Sequence, residues 1–462
     1  MNFSVYKLRK RHPRFIYHEY KFDLVKDGLR FSFNFEIEPN IHFSPQIEVK
    51  GISQDRLQTV GKDVLNNFAF HLGLMEIPSY WKASCSPEIV IEAGSLDEFQ
   101  QIWWKDLVIR GMGEFFFVNQ IDFSAPDFIT FKTKQNSPNR KKVFTGDLDN
   151  SRILVPVAGG KDSALTCELL KRGKRKIIPF CLNPSKAALS IIETCKIGNP
   201  IIVVRKIDNS LLNLNKRGYL NGHTPFSAYI AFLSVLASIL FETETVLVSN
   251  ERSSNEGNTV FKGVEINHQY SKSYEFEIKF REYCQKYLAK NLEYTSFLRP
   301  LYELQIAKIF SRFPAYFSLF KSCNVGQKTD SCCQKCAKCL FVFTVLYPFI
   351  EEKVLNKIIF SENLFTREDF IPIVRKFLNR SKVKPFDCVG TKEETIVAFF
   401  MCLEKAKRSK GKLPVVLQAV ERGIMIKQHN LEKRKQTILS AWNKNHSLTK
   451  DLELLLKKEA NI

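Results

Sequence analysis

The sequence predicts an α/β protein whose centre is a parallel, doubly wound sheet, preceded by an α+β domain and followed by a helical region. Three observations support this fold class: alternating apolar and polar residues near the N-terminus, short unbroken apolar runs between helical stretches in the middle, and charged helical patterns after about residue 350. A chain of 462 residues suits two or three domains of about 100–200 residues. We place the three parts at residues 1–145, 146–320 and 321–462.

The first part begins with three runs in which apolar and polar residues alternate, FIYHEYKFDL, LRFSFNFEIE and HFSPQIEVKG, with Asp27-Gly28 between the first two. Alternation broken by turn residues predicts antiparallel strands. Helical patterns follow at about Leu57–Leu74 and Leu96–Ile109. The polar stretch KTKQNSPNRKK (Lys132–Lys142) predicts the domain boundary.

The middle part contains the runs ILVPV, KIIPFCLN, PIIVVRK and TVLVSNE, which do not alternate. Branched apolar runs of this kind are typical of strands covered on both faces. Helical stretches separate them, and the longest, Phe226–Phe241, precedes the last run. The order of strand and helix therefore predicts a parallel sheet with helices on both sides.

Composition narrows the class of protein. Apolar residues make up 44% and charged residues 25%, which excludes a largely disordered or fibrous chain. Lys and Arg number 69 against 48 Asp and Glu, a net charge of +21 that favours an anionic partner such as nucleic acid or a phosphorylated metabolite, unless the protein is simply basic. The apolar stretches Phe226–Phe241 and Leu340–Ile350 fall short of membrane spans and predict buried helices. Twelve cysteines without a secretory signal predict thiols or metal ligands in the cytoplasm.

A glycine-rich loop is the strongest functional signal, and it lies between a buried strand and the start of a helix. It consists of Ala158, Gly159, Gly160, Lys161, Asp162 and Ser163. Two glycines let backbone N–H groups approach an anion, and the helix N-terminus adds positive potential. Lys161 can neutralise phosphate charge and Ser163 can donate to a phosphate oxygen. The alternative is a chance glycine turn, and the spacing is not that of a Walker loop.

A cysteine cluster is the second signal. Cys323, Cys333, Cys336 and Cys339 can supply four thiolates, a typical tetrahedral zinc set, and Cys332 is a surplus residue that could substitute in it. An iron–sulfur cluster and free buried thiols are the alternatives.

Several polar loops carry the remaining candidates. SNERSSNEGN (249–258) follows a predicted strand, where Asn250 can face a substrate and Glu251 or Glu256 can hold Mg²⁺. NGHTP, NHQYSKS and KPFDCVGT contribute three acid–base candidates, which are His223, His268 and Cys388. For each, an ordinary solvated loop or a structural His or Cys is the alternative reading.

Two of these motifs resemble known families. AGGKDS resembles the SGGKDS loop of the PP-loop ATP pyrophosphatases (adenine nucleotide α-hydrolase-like), with Ala158 in place of the leading serine. The cysteine cluster is similar to the structural zinc site of 7-cyano-7-deazaguanine synthase, a PP-loop enzyme. VPVAGGKDS, NGHTP, SNERSSNEGN, NHQYSKS, RPLYEL, the cysteine cluster and KPFDCVGT, taken together over residues 150–400, resemble the UDP-N-acetyl-α-D-muramoyl-L-alanyl-L-glutamate epimerase family.

This resemblance implies an isomerase of peptidoglycan precursor synthesis that uses ATP and Mg²⁺. It would convert the terminal L-glutamate of the UDP-muramoyl dipeptide to D-glutamate through a carboxyl adenylate, releasing AMP and pyrophosphate. It implies ATP binding by residues 158–163 with Asn250 and Glu251. Lys161, Asp162, His223, His268 and Cys388 are the implied catalytic residues, and the cysteines imply a structural Zn²⁺.

Two alternative functions stay open at this point. A PP-loop enzyme that modifies a nucleobase or tRNA fits the cysteine cluster and the charge, although the sequence has no separate RNA-binding motif. A non-catalytic, zinc-stapled scaffold that binds nucleic acid through basic C-terminal helices would leave the glycine-rich loop without a use.

Overall fold

A computed structural model describes residues 4–133, 142–323, 325–378, 383–409, 411–423 and 429–462. Most of the predicted boundary stretch, residues 134–141, lies outside these ranges. The strands are β1 Arg14–Val25, β2 Gly28–Ile37, β3 Ile41–Phe43, β4 Gln46–Lys50, β5 Glu88–Ile91, β6 Thr130–Thr133, β7 Asp149–Pro156, β8 Lys176–Leu182, β9 Ile201–Lys206, β10 Thr243–Val248, β11 Thr259–Phe261, β12 Val264–Ile266 and β13 Glu293–Ser296.

The helices alternate with these strands and then dominate the last third of the chain. They are α1 Val5–Arg11, α2 Gln54–Val60, α3 Lys62–Trp81, α4 Glu98–Gly111, α5 Gly113–Val118, α6 Lys161–Arg172, α7 Lys186–Cys195, α8 Asn209–Lys216, α9 Phe226–Phe241, α10 Tyr274–Tyr287, α11 Glu303–Phe310, α12 Ala337–Leu346, α13 Glu352–Val354, α14 Ile371–Leu378, α15 Lys392–Arg408, α16 Val415–Gly423, α17 Leu431–Leu439 and α18 Lys450–Ala460. Among the described residues, no helix has the length and apolar character that crossing a membrane requires.

The predicted strands of the first part form and pair antiparallel. β2 pairs with both β1 and β4, and its alternate side chains are buried, as the sequence pattern predicts. β4 then pairs antiparallel with β9, with Gln46 opposite Lys206 and Val49 opposite Val203. The N-terminal strands therefore extend the same sheet that the middle part builds. The division at residue 145 stays a prediction.

The large sheet is mostly parallel, which confirms the mixed α/β class. Its main path runs β13-β10-β7-β8-β9-β4-β2-β1-β5-β6, and the pairs from β13 to β9 are all parallel. Neighbouring side chains of β7 enter different cores: Leu154 packs in the core that contains α9, whereas Ile153 and Val155 pack in the core that contains α6 and α7. Both faces are thus covered, which explains the unbroken apolar runs.

Helix caps place the segments that matter for the site. Gly160 is the N-cap of α6, four residues beyond the end of β7 at Pro156. Ser273, the last residue of the NHQYSKS segment, caps α10 by accepting from the Phe276 N–H. Thr391 and Glu394 form a reciprocal capping box at the start of α15, just after KPFDCVGT. These three candidate segments therefore end at fixed helix starts.

Candidate active site

The glycine-rich loop turns from β7 into α6 at the carboxyl end of the central sheet. Gly159 has φ +91°, in the region that favours glycine. A Cβ at this position would lie 3.0 Å from the Cβ of Ala187 and from the N of Ala188, at the start of α7. Gly160 has ordinary extended geometry, with φ −88°. Gly159 is therefore the glycine that the turn requires.

Lys161, the loop lysine, is fully buried, and its ammonium is paired with two carboxylates. Its Nζ donates to Asp162 Oδ1 and to Glu303 Oε2 from α11. Burial alone would lower the pKa of Lys161, but the charges of Asp162 and Glu303 outweigh it and raise the pKa. Burial would likewise raise the pKa of Asp162, and the Lys161 ammonium lowers it instead. Lys161 is thus a buried, charged residue that links the loop to α11 through Glu303.

A cavity of about 270 Å³ opens above this loop. It brings together the glycine-rich loop, the start of α9, the end of β10 and five separate segments from further along the chain. Its lining residues are Pro156, Ala158, Gly160, Asp162, Ser163, Ser227, Ile230, Val248, Ser249, Asn250, Lys272, Tyr294, Lys321, Ser322, Cys323, Lys338 and Cys388. The position at the carboxyl ends of parallel strands is where open α/β sheets bind ligands.

Charge in this cavity is mainly positive. Lys272, Lys321 and Lys338 line it, and Asp162 is the single carboxylate among its described lining residues. Glu251 lies close behind and is buried. Burial raises the pKa of Glu251, against the opposing charge of Lys272. The arrangement suits an anionic ligand such as a polyphosphate.

Cys388 and Lys272 form a pair on one wall. Lys272 Nζ lies 3.5 Å from Cys388 Sγ, although the two residues are far apart in sequence. The negative charge that Cys388 can carry raises the pKa of Lys272, outweighing burial. A thiol next to a cation can act as a proton acceptor when it ionises.

Arg299 is fully buried and holds the lysine side of this pair. It donates to the carbonyl oxygens of Glu251 and Lys272, and to Ser254 Oγ at 2.9 Å. Glu277, also buried, balances its charge at 3.3 Å. Arg299 therefore joins the loop after β10 to the segment that carries Lys272.

The two predicted histidines lie beside each other, with ring centroids 6.1 Å apart, but neither is among the described residues that line the cavity. Asn258 Oδ1 accepts from the backbone N–H of His268 and lies 3.0 Å from its Nδ1. Burial and the charges of Lys272 and Lys384 lower the pKa of His268 to about 3. Burial and His268 likewise lower the pKa of His223 to about 3. Both rings are therefore neutral at pH 7.

His223 Nδ1 lies 3.4 Å from Glu114 Oε2. Burial raises the pKa of Glu114 to about 7, and the negative charges of Asp387 and Cys388 add to this effect. Glu114 therefore titrates near neutrality.

The four predicted cysteines converge at a candidate metal centre. The Sγ atoms of Cys323, Cys333, Cys336 and Cys339 all lie within 4.8 Å of one another. Cys323 and Cys336 are 3.9 Å apart, and Cys333 and Cys339 are 3.8 Å apart. A tetrahedral Zn²⁺ with Zn–S bonds of about 2.3 Å places its sulfurs about 3.8 Å apart. The donor set therefore fits zinc.

This candidate centre touches the glycine-rich loop through residues 321–323, which we call the arm. The Lys321 N–H donates to the Gly159 carbonyl at 2.8 Å. The Lys161 N–H donates to Ser322 Oγ at 3.3 Å. Cys323, the next residue, is one of the four sulfur donors. Ser322 thereby brings a hydroxyl to a loop in which Ala158 has none.

The cavity contains six residues predicted for catalysis or nucleotide binding, together with one predicted metal ligand. These are Ala158, Gly160, Asp162, Ser163, Asn250, Cys388 and Cys323. Gly159, Lys161, Glu251, His223, His268, Cys333, Cys336 and Cys339 are not among its lining residues. Ser163 lines it, but its hydroxyl donates to the Gly160 carbonyl at 3.0 Å. The roles predicted for all of these residues stay predictions.

Sequence reasoning assigned no role in the site to Lys272, Glu303, Lys321 and Ser322. Lys272 lies in NHQYSKS and Glu303 in RPLYEL, so both belong to motifs that the sequence analysis singled out, although neither residue was itself predicted. Lys321 and Ser322 directly precede Cys323, the first cysteine of the cluster. This proximity in sequence is the one feature that could have pointed to them.

Two family models match this chain. The MurL N-terminal domain matches residues 7–297 and the MurL C-terminal domain matches residues 318–435. Curated relatives include the UDP-N-acetyl-α-D-muramoyl-L-alanyl-L-glutamate epimerases of a Micromonospora species, 33% identical over 71% of this chain and 72% of the relative, and of Salinispora tropica, 32% identical over 77% and 76%. The enzyme of the same name from Xanthomonas oryzae pv. oryzae is 31% identical over 71% of this chain and 73% of its own length.

Proposed function

The chain belongs to the MurL family of UDP-N-acetyl-α-D-muramoyl-L-alanyl-L-glutamate epimerases, and we propose that it converts the terminal L-glutamate of the UDP-muramoyl dipeptide to D-glutamate. The reaction uses ATP and Mg²⁺ and proceeds through a carboxyl adenylate. A free α-carboxylate resists loss of the α-proton because the resulting carbanion would lie beside a full negative charge. Adenylation removes that charge, so a side chain can then take the proton.

The adenylation step takes place over the glycine-rich loop. The substrate α-carboxylate attacks the α-phosphorus of ATP, and pyrophosphate leaves. The lysines that line the cavity balance the phosphate charge, and Asp162, its lining carboxylate, would be available to hold the Mg²⁺ that accompanies ATP. Lys161 holds Asp162 and Glu303 in place from below. After inversion, water cleaves the acyl adenylate and releases AMP.

Cys388 is the proton-transfer group that we select from the three predicted candidates. Its side chain lines the cavity beside Lys272, whereas His268 and His223 do not. As a thiolate, Cys388 accepts the α-proton and the Lys272 ammonium stabilises the ionised sulfur. A proton from solvent then adds to the opposite face of the planar intermediate and completes the inversion, and the Cys388 thiol returns its proton to solvent.

We assign a structural Zn²⁺ to the four cysteines. When bound, the metal ties the arm to the start of α12, since Cys323 and Cys339 belong to these two segments. Four thiolates leave no open coordination position for substrate, which is typical of structural rather than catalytic zinc.

The observation that carries the proposal is a single cavity that joins the glycine-rich loop to the Cys388–Lys272 pair. The test is product analysis with UDP-N-acetylmuramoyl-L-alanyl-L-glutamate, ATP and Mg²⁺. We expect D-glutamate after hydrolysis of the product, together with AMP and pyrophosphate. Formation of ADP and phosphate, or epimerisation without ATP, would overturn the adenylate route.

A matched set of variants tests the choice of Cys388. We expect Cys388→Ala to lower exchange of the α-proton with deuterated solvent by at least about 10²-fold, while AMP formation with the dipeptide continues. His268→Ala and His223→Ala should retain more exchange than Cys388→Ala. If a histidine variant loses exchange and Cys388→Ala keeps it, the histidine is the proton-transfer group.

A further inference from the structure

We propose that the arm of the cysteine centre is itself part of the nucleotide site, with Lys321 and Ser322 binding phosphate oxygens of ATP above the glycine-rich loop. This inference rests on the proposed function, because it requires ATP in the cavity. It gives the arm a binding role in addition to the structural role of Cys323. Both Lys321 and Ser322 line the cavity.

The hydrogen-bond pattern of Ser322 supports this role. Its Oγ accepts the Lys161 N–H, which is the first N–H of α6. An anion placed at this helix start would therefore meet the serine hydroxyl before that backbone N–H. Because Oγ is the acceptor in this bond, its own proton is available to donate into the cavity that the residue lines.

The distribution of positive charge supports the role of Lys321. Lys161 is fully buried between Asp162 and Glu303, so its ammonium does not face the cavity. Lys338 donates to the Cys388 carbonyl and lies 3.9 Å from Glu303 Oε1. Lys321 is half-buried and donates to the Ser318 carbonyl at 2.8 Å. Since an ammonium has three N–H groups, two remain for a phosphate.

The backbone of the arm fixes both side chains relative to the loop. The Lys321 N–H is bound to the Gly159 carbonyl, and Cys323 Sγ accepts from the N–H groups of Gly326 and Cys333. The arm is thus held at the loop on one side and at the four-sulfur cluster on the other. Binding groups that are held in place before the ligand arrives pay less ordering entropy on binding.

The test measures binding of Mg·ATP by isothermal titration calorimetry, with bound metal and melting temperature recorded for every variant. We expect Lys321→Met to weaken binding by about tenfold or more and Ser322→Ala by about fivefold, with metal content unchanged. Lys335→Met is the matched control, because Lys335 is an exposed lysine between Cys333 and Cys336 that does not line the cavity. It should bind ATP like the unmodified chain.

Conservative variants keep the test decisive if a truncation disturbs the fold. Lys321→Arg and Ser322→Thr retain the charge and the hydroxyl, and we expect both to bind Mg·ATP within about threefold of the unmodified chain. The inference is overturned if Lys321→Met and Ser322→Ala bind normally, if Lys335→Met loses as much affinity, or if Lys321→Arg loses as much as Lys321→Met. Failure of the unmodified chain to bind Mg·ATP is a different result and overturns the proposed function itself.

Discussion

Replacing Lys161 by methionine tests whether the buried loop lysine stabilises the fold through its ion pair with Glu303. Lys161 is fully buried and pairs with Glu303, which is 2% exposed. Among the ion pairs of the described residues, removing Lys161 leaves Glu303 with one cation, Lys338, at 3.9 Å. Removing one partner of a buried ion pair costs about 3–5 kcal/mol, because the other charge stays desolvated. We therefore expect Lys161→Met to lower the free energy of unfolding by about 3–5 kcal/mol at pH 8.

The cost should depend on pH in a defined direction. In the variant, Glu303 can avoid carrying an unpaired buried charge by binding a proton. Protonating it costs about 1.4 kcal/mol for each unit by which the pH exceeds its unfolded pKa. The folded-state pKa of Glu303 then lies further above its unfolded value than in the unmodified chain. Stability is lost as pH rises above the unfolded value, so the destabilisation should be smaller at pH 5.5 than at pH 8.

Urea unfolding followed by circular dichroism measures this effect. The double variant Lys161→Met/Glu303→Gln removes both charges, and we expect it to be more stable than the single variant. Lys171→Met, an exposed lysine in the same helix, should change stability by less than about 0.5 kcal/mol. Lys161 is not a buried structural cation if Lys161→Met is as stable as Lys171→Met, or if the double variant is less stable than the single one.

Three further predictions follow from the site. Burial raises the pKa of Glu114 to about 7, so ionising this carboxyl costs stability as the pH rises from its unfolded pKa toward 7. Between pH 5 and pH 8, the free energy of unfolding of Glu114→Gln should therefore increase by about 2–3 kcal/mol relative to that of the unmodified chain, measured by urea unfolding at both pH values. Cys336→Ser should lose bound zinc and melt at a lower temperature, whereas Cys332→Ser, outside the four-sulfur set, should retain the metal, as elemental analysis will report. Gly159→Ala should cost at least about 1–2 kcal/mol because of its positive φ, whereas Gly160→Ala should cost less in the same unfolding assay.

Each of these predictions has a clear contrary result. A stability difference between Glu114→Gln and the unmodified chain that does not change with pH means that this carboxyl does not titrate near 7. Equal metal loss in both cysteine variants would place Cys332 in the coordination sphere. Equal costs for the two glycine variants would show that the turn does not depend on the left-handed conformation of Gly159.

The local structure was accessible from the sequence to a large extent. Alternation predicted the antiparallel pairing of β1, β2 and β4, and unbroken branched runs predicted β7 to β10. The continuation of the sheet from β4 to β9 was not predicted. A strand pattern shows which faces are buried but not which distant strand lies at its edge, and Val49 pairs with Val203 across most of the N-terminal half.

The candidate site was predicted as a set of motifs rather than as a set of contacts. The glycine-rich loop and the four cysteines were found because their spacing is a local property. Which charged groups face the cavity was not predictable, because that depends on burial. Lys161 was expected to neutralise phosphate charge, and the structure buries its ammonium against Glu303, 142 positions along the chain. Whether Lys161 also contributes to nucleotide binding stays a prediction.

The sequence by itself determined the element types, the glycine turn at a strand–helix junction, the thiol set and the family, since each follows from residues that are near one another along the chain or from their pattern. The tertiary structure decided that Lys272 meets Cys388, that Ser322 covers the start of α6, and that Lys321 rather than Lys161 faces the cavity. The physical reason is that the ionisation and reach of a side chain depend on its solvent access and its neighbours, and folding assembles these from distant segments.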